Sequence, residues 1–246
     1  MRYFLELSYN GKAYHGWQNQ PNAISVQEVI EDALSKLLRE QIAIVGAGRT
    51  DAGVHAKQMF AHFDTDVEFL NENLNFKLNS FLPKDIAIRN IFEVKADAHT
   101  RFDAISRTYI YRISKHKNVF EFDNSYYLKH DLDIDKMNEA SKTLFNYENF
   151  KCFSRSNTDV KTYNCNIMKA EWRVAGDELI FTIKANRFLR NMVRAIVGTM
   201  VDIGLGKTKV EALQEIIESQ NRVNAGASVP GHALYLAQIE YPKDIM

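Results

Sequence analysis

Cysteine and proline are scarce in this 246-residue chain. The two cysteines, Cys152 and Cys165, stand 13 apart with no CxxC pair, which supports neither a disulfide scaffold nor a zinc knuckle and fits a reducing cytosol. Four prolines and 11 glycines leave no collagen-like or low-complexity segment. Neither sign of charge is in excess, with 31 basic residues against 31 acidic. Net charge therefore says nothing of a polyanionic partner, and any nucleic-acid site must come from local clustering. No apolar run is long enough to span a membrane: the richest, Phe188 to Leu205, is interrupted by Arg190, Asn191, Arg194 and Asp202 and reads as a buried helix. The opening MRYFLELSYNGK has no apolar stretch behind a basic flank, so no secretory signal is expected. The seven histidines show no HxH or HExxH spacing, so no metal site is expected. With no GxSxG and no activating neighbour beside either cysteine, hydrolysis through Ser or Cys is unsupported.

What is present is an ordinary globular composition, 46% apolar and 25% charged, enough for one large core or two of about 120 residues each. Alternation over 2–9 predicts a first strand. Ser25-Val26-Gln27-Glu28 has capping-box spacing, and Val26, Val29, Ile30, Ala33, Leu34, Leu37 and Leu38 follow the period of an amphipathic helix. Strands at 41–46, 58–65 and 86–94 with a helix near 68–80 complete a β-α-β-β-α-β order. The pattern recurs with insertions: strand 106–114, helix 134–146, strands 163–174 and 178–185, helix 187–203, a short helix at 208–219 and strand 234–241. The expected class is α+β, with two related ferredoxin-like halves, 1–104 and 105–246, whose mixed or antiparallel sheets flank a central cleft.

The densest polar cluster is Gly46-Ala47-Gly48-Arg49-Thr50-Asp51-Ala52-Gly53-Val54-His55. Its glycines let the backbone turn sharply and hold Arg49, Thr50 and Asp51 at the end of a strand. A hairpin loop with a turn-capping Asp is the plain alternative. Gly204-Leu205-Gly206-Lys207-Thr208 resembles a Walker motif, but Val201 stands where glycine is required; these glycines are expected to stop the preceding helix, with Thr208 capping the next. On helix 187–203, Arg187, Arg190 and Arg194 fall on one face, with no acidic residue between Lys184 and Val201. A solvated basic face is the alternative there. A second basic excess, Arg101, Arg107, Arg112, Lys115 and Lys117 against Asp103, interleaves with Tyr109 and Tyr111, a combination that holds single-stranded RNA on sheets. Either tyrosine reads more readily as core than as a site residue.

Read together, several segments resemble the tRNA pseudouridine synthase A family over nearly the whole chain. They are Tyr9-Asn10-Gly11, Tyr14-His15-Gly16-Trp17-Gln18, Ser25-Val26-Gln27, the Gly46 to His55 segment, His99-Thr100-Arg101-Phe102-Asp103-Ala104, Arg107-Thr108-Tyr109-Ile110-Tyr111, and Asn186 through Gly198. The resemblance implies an isomerase that converts uridine to pseudouridine at positions 38 to 40 of the tRNA anticodon arm, with Asp51 as the essential carboxylate. It further implies that Arg49 supports the loop and helps displace the target base, that Tyr109 stacks on the uracil, that Arg194 pairs with Asp51, and that Leu234 lines the pocket. A homodimer acting on tRNA without metal or cofactor, in the cytoplasm, is implied as well. The chain departs from the family pattern at Thr100, where alanine is usual, and at Ala233, where glycine is common.

Such chemistry suits these residue types. The base must be detached at N1, turned and rejoined through C5, which calls for an ionised carboxylate in a sealed pocket. Asp51 serves either as a nucleophile on uracil or sugar or as a base toward the C2′ proton. The alternative from another class is a non-catalytic RNA-binding protein on the same scaffold; a nucleotide-binding enzyme using the glycine loop is the third, and it predicts ATP or GTP affinity.

Overall fold

In the computed structural model, residues 1–155 and 160–245 are described. They form two compact units, the first made of 1–105 with the chain from 235 onward, the second of 106–234. The first unit runs β1 (Arg2–Tyr9), α1 (Val26–Leu38), β2 (Val45–Gly46), β3 (His55–Asp64), α2 (Asn71–Phe81) and β4 (Ile86–Val94). β1 lies between β4 and β3 and is antiparallel to both, and β2 pairs antiparallel with β3. β1 is covered on both faces, with Phe4, Leu5 and Leu7 fully buried along with Ile30 and Leu34 of α1, Met59 and Phe63 of β3 and Leu78 of α2. α1 starts as its capping box predicts, because the Ser25 side chain accepts from the Glu28 N–H, and it stops at Arg39, which takes the left-handed conformation.

The second unit runs β5 (Ser106–Ser114), β6 (Tyr126–Tyr127), α3 (Ile134–Thr143), β7 (Ile167–Ala175), β8 (Glu178–Ala185), α4 (Met192–Gly204) and α5 (Ala212–Glu218). β8 pairs antiparallel with both β5 and β7, while the short β6 runs parallel to β5. The return strand β9 (Leu234–Glu240) brings the chain back to the first unit, where its Tyr235 and Leu236 pair in parallel with His55 and Ala56 of β3. The class is α+β, as composition and periodicity indicate. No helix among the described residues is long and apolar enough to cross a membrane.

Four expectations are corrected, each for a traceable reason. The strand expected over 41–46 shrinks to Val45–Gly46, since side chains of α1 claim the backbone before it: the Ile42 N–H donates to Ser35 Oγ (2.9 Å), the Ile44 N–H to Glu31 Oε1 (2.8 Å), and Gln27 Nε2 donates to the Ile44 carbonyl (3.0 Å). β7 begins at Ile167 instead of 163 because the N–H groups of Cys165 and Asn166 go to the Glu148 carbonyl and the Asn186 side chain. α4 begins at Met192 because Asn191 sits at φ 67°, so Arg187 and Arg190 precede the helix and share no helical face with Arg194. α4 does end at Gly204, but Thr208 caps nothing: its N–H and that of Lys207 turn back to the Asp202 carbonyl, and α5 starts at Ala212.

Thr100 proves fully buried. Its hydroxyl donates to the Val45 carbonyl (2.8 Å) and lies 2.9 Å from Nδ1 of His62, which also accepts from the Thr100 N–H (3.4 Å). Burial, then nearby Arg2, push the His62 pKa down from 6.5 to about 4. The unfolded chain therefore takes up a proton at this histidine near pH 6.5 that the folded protein resists until about pH 4. Stability from this group is complete above pH 6.5 and drains away on acidification toward pH 4, by about 3 kcal/mol in all. In urea titrations at pH 7.5 and 4.5, the loss of stability on acidification should be smaller by about that amount in His62→Gln; an equal loss in both proteins would refute it.

Candidate active site

The polar cluster lies in the turn from β2 to β3. Arg49 and Ala52 are exposed, Asp51 is half-buried and Thr50 and Val54 are buried. The turn is closed at its base by the Ala47 N–H on the Phe60 carbonyl (2.8 Å), and the Val54 N–H donates to the carbonyl of Asp51 (3.1 Å). Asp51 thus has a fixed backbone on its C-terminal side while its side chain is partly open.

On the N-terminal side the turn is held by residues 9–17, a segment whose motif the sequence displays without revealing its purpose. The Trp17 N–H donates to the Thr50 carbonyl (3.3 Å), the Gly53 N–H to the Tyr14 carbonyl (3.3 Å), and the Gly11 N–H to Nδ1 of buried His55 (3.0 Å). Tyr9 and Thr50 share a hydrogen bond between their hydroxyls, 2.8 Å long and buried. Both glycines here are required. A Cβ at Gly11 would overlap the Val54 carbonyl, and Gly16, at φ +95°, would overlap that of Thr50. The segment is itself anchored: Tyr14 Oη donates to Asp85 (2.7 Å), and the N–H groups of Val26 and Gln27 at the start of α1 donate to the carbonyls of Gly16 and Trp17. Orphan donors of a helix N-terminus are thereby used to fasten the brace. This explains why Ser25-Val26-Gln27 accompanies the other motifs. On the far side of the turn the His55 ring stacks on Tyr235, centroids 4.7 Å apart.

The second unit carries Tyr109 and Arg194. Of the two tyrosines left open by the sequence, Tyr111 is core: it is fully buried and its hydroxyl donates to the Pro230 carbonyl (3.1 Å). Tyr109 is half-buried, with Phe188 set edge-on at 5.2 Å. The basic excess around it is smaller than the local sequence suggests, since Arg112 makes a bidentate pair with Glu178 (2.9 Å each) and lies 3.2 Å from Glu121. Arg194, on the first turn of α4, exchanges bonds with the segment that follows α5. Its Nε donates to the Val229 carbonyl (2.8 Å), and the Val229 N–H donates to the Arg194 carbonyl (3.2 Å). That segment is tied down in turn by Arg222, which donates to the carbonyls of Ala225 and Gly226 and to Ser228 Oγ, and by Asn191, which also donates to Ser228 Oγ. Gly198 admits the segment, because any Cβ there would overlap the Ala227 carbonyl. Leu234, buried, opens β9 directly behind a short turn at Gly231–Ala233, and Ala233 is itself fully buried.

The structure therefore places Arg49 and Asp51 on one braced turn of the first unit, and Tyr109 and Arg194 in the second. Sequence reasoning singled out Tyr9, Tyr14 and Trp17 only as family markers without a role, and it missed the strap around Val229. Burial pushes the thiol of Cys152 up to about 12 and that of Cys165 up to about 11, so neither is a nucleophile at neutral pH. Among the described residues no group of three or more His, Cys, Asp or Glu is placed to hold a metal ion.

Comparison with known proteins bears on this arrangement. A family model described as tRNA pseudouridine synthase matches residues 7–103 and 140–242, taking in the brace, the Asp51 turn and the Arg194 strap. The tRNA pseudouridine synthase A of Parabacteroides distasonis is 52% identical over 249 residues, covering 99% of this chain and 97% of that protein. The protein of the same name in Bacteroides fragilis is 52% identical over 246 residues, with 99% and 98% covered. The one in Bacillus pumilus is 38% identical over 245 residues, with 98% and 99% covered.

Proposed function

This chain belongs to the tRNA pseudouridine synthase family and is a uridine isomerase acting on tRNA; from that premise we propose that it forms pseudouridine at positions 38, 39 and 40 of the anticodon stem-loop, using the Asp51 carboxylate and no cofactor. The observation that carries the proposal is the Asp51 turn, a half-buried carboxylate whose backbone is hydrogen-bonded on both sides by a dedicated segment. Such fixing is what chemistry at a single carboxylate demands and what a mere binding surface does not.

The reaction needs no outside reactant. The N1–C1′ bond breaks, a C5–C1′ bond forms, a proton leaves C5 and one arrives at N1. Asp51 initiates it by attacking uracil or sugar, or by taking the C2′ proton; the net change is the same. Arg194, its guanidinium aligned through Nε by the Val229 carbonyl, is assigned as the counter-ion that keeps the carboxylate charged on desolvation. Tyr109 offers a ring steadied on its edge by Phe188. Stacking there, worth roughly 1–3 kcal/mol per base, offsets part of the few kcal/mol needed to extrude the target nucleotide. Arg49, exposed at the mouth of the turn, is assigned to displacing the base, and Leu234 to lining the pocket. Two copies of the chain acting on one tRNA in the cytoplasm belong to the same proposal, as do two related ferredoxin-like halves, for which the antiparallel order β4-β1-β3-β2 in the first unit speaks.

Pseudouridine mapping of an unmodified tRNA with uridines at 38, 39 and 40 tests the site of action. Conversion is expected at those positions and at none in the D- or T-arm. Conversion confined to another arm would overturn the assignment of the anticodon stem-loop while leaving the isomerase in place.

A further inference from the structure

We propose that Tyr9 is a positioning residue for Asp51, acting through the hydroxyl of Thr50. The proposal rests on Asp51 being the catalytic carboxylate. Tyr9 is the last residue of β1 and pairs with Ala56 of β3 just past a register shift at Leu7 to Tyr9. This irregularity turns the strand end toward the Asp51 turn and brings its phenol under Thr50. The phenol is 4% exposed and meets Thr50 Oγ1 at 2.8 Å. Its burial and its partner both argue against direct contact with an RNA base. It therefore acts on the chemistry through the residue preceding Asp51 and not by touching the base.

Thr50 is held twice. Its carbonyl accepts from the Trp17 N–H (3.3 Å), and its hydroxyl is bonded to Tyr9. The carbonyl bond fixes where the peptide between Thr50 and Asp51 lies; the hydroxyl bond fixes the rotation about Thr50 that determines how this peptide is tilted. With the Asp51 carbonyl tied to the Val54 N–H, the direction of the Asp51 Cα–Cβ bond is then set from both sides. Packing alone does not ask for a hydroxyl at position 9: a phenylalanine ring would fill the same space beside Trp17, whose ring lies 6.1 Å away. The hydroxyl group is thus explained by the turn it orients, and errors of about 1 Å in such orientation cost roughly a hundredfold in rate.

The test compares wild type with Tyr9→Phe, Thr50→Val, the double variant, Thr50→Ser and Asp51→Asn, measuring single-turnover rate, tRNA dissociation constant and thermal midpoint for each. Tyr9→Phe and Thr50→Val should each lower the rate about ten- to a hundredfold with tRNA affinity within about twofold of wild type. The double variant should lose no more than the worse single, since both remove one bond. Thr50→Ser, which keeps the hydroxyl, should stay within about threefold of wild type. A Tyr9→Phe rate equal to wild type while Asp51→Asn is inactive overturns the positioning role and leaves Asp51 standing. So does a rate loss in proportion to unfolded protein, or additive losses in the double variant. Turnover in Asp51→Asn within about tenfold of wild type overturns the catalytic reading itself.

Discussion

Asp51→Asn is expected to abolish pseudouridine formation, with a loss of at least about a thousandfold in single-turnover rate, while tRNA affinity changes by less than about tenfold. The two side chains are nearly the same size, and the turn is built from backbone bonds to Thr50, Gly53 and the Asp51 carbonyl, none of which involves the carboxylate. The fold of the turn should survive. What disappears is the anionic oxygen, and with it both ways of starting the reaction, since an amide neither attacks as a nucleophile nor accepts a proton near neutral pH. Binding is governed by phosphate contacts from basic side chains, so the variant should still retain tRNA, and its affinity should fall steeply with added salt. Turnover within about tenfold of wild type would remove Asp51 from the chemistry; equal loss of rate and binding would mean the substitution disrupts the surface.

Gly198→Ala should destabilise the protein by about 2–3 kcal/mol, the opposite of what helix propensity predicts. Within α4 an alanine is ordinarily favoured over glycine by roughly 1 kcal/mol. Here the added Cβ would run into the Ala227 carbonyl, which is backbone and has no rotamer to escape through. The neighbouring chain has little freedom to retreat: the Gly226 N–H donates to Thr199 Oγ1 (2.9 Å), Val229 exchanges two bonds with Arg194, and Arg222 grips the carbonyls of Ala225 and Gly226. Lifting the strap sacrifices several of these bonds, each worth about 0.5–1.5 kcal/mol. It also releases the guanidinium of Arg194 from the carbonyl that aligns it, so activity should drop even in the protein that remains folded. A fall of about 5–10 °C in the thermal midpoint is expected. A variant as stable as wild type would show that the strap does not lie where the structure has it.

Much of this was legible in the residues. β1, β4, β5 and β8 follow directly from alternation, and α1 from a capping box followed by a regular stripe. Several of the failures share one cause, a partner outside the element being read. Ile42 and Ile44 have strand character, yet their backbone groups are taken by Ser35, Glu31 and Gln27 of a helix. Arg190 and Arg194 fit a single helical face by spacing until Asn191, tied to Ser228, turns the chain between them. Arg112 reads as part of a basic patch because Glu178, its counter-charge, lies 66 residues away. At the site, Asp51 and Arg49 stand out because functional residue types cluster within one glycine-rich turn. The purpose of the brace beneath them does not: Tyr9, Gly11, Gly16 and Trp17 are legible only as family markers, and their role exists only where the Tyr9 hydroxyl and the backbone of the others meet Thr50 to His55.

The most direct measurement is nucleoside analysis of an unmodified tRNA transcript before and after incubation with purified protein dialysed against a chelator, with no cofactor added. Isomerisation by residues of this chain predicts one uridine lost for every pseudouridine gained, at unchanged RNA mass and undiminished rate. An RNA that emerges with its uridines intact despite salt-sensitive binding, or conversion that appears only when a metal or cofactor is restored, would contradict it.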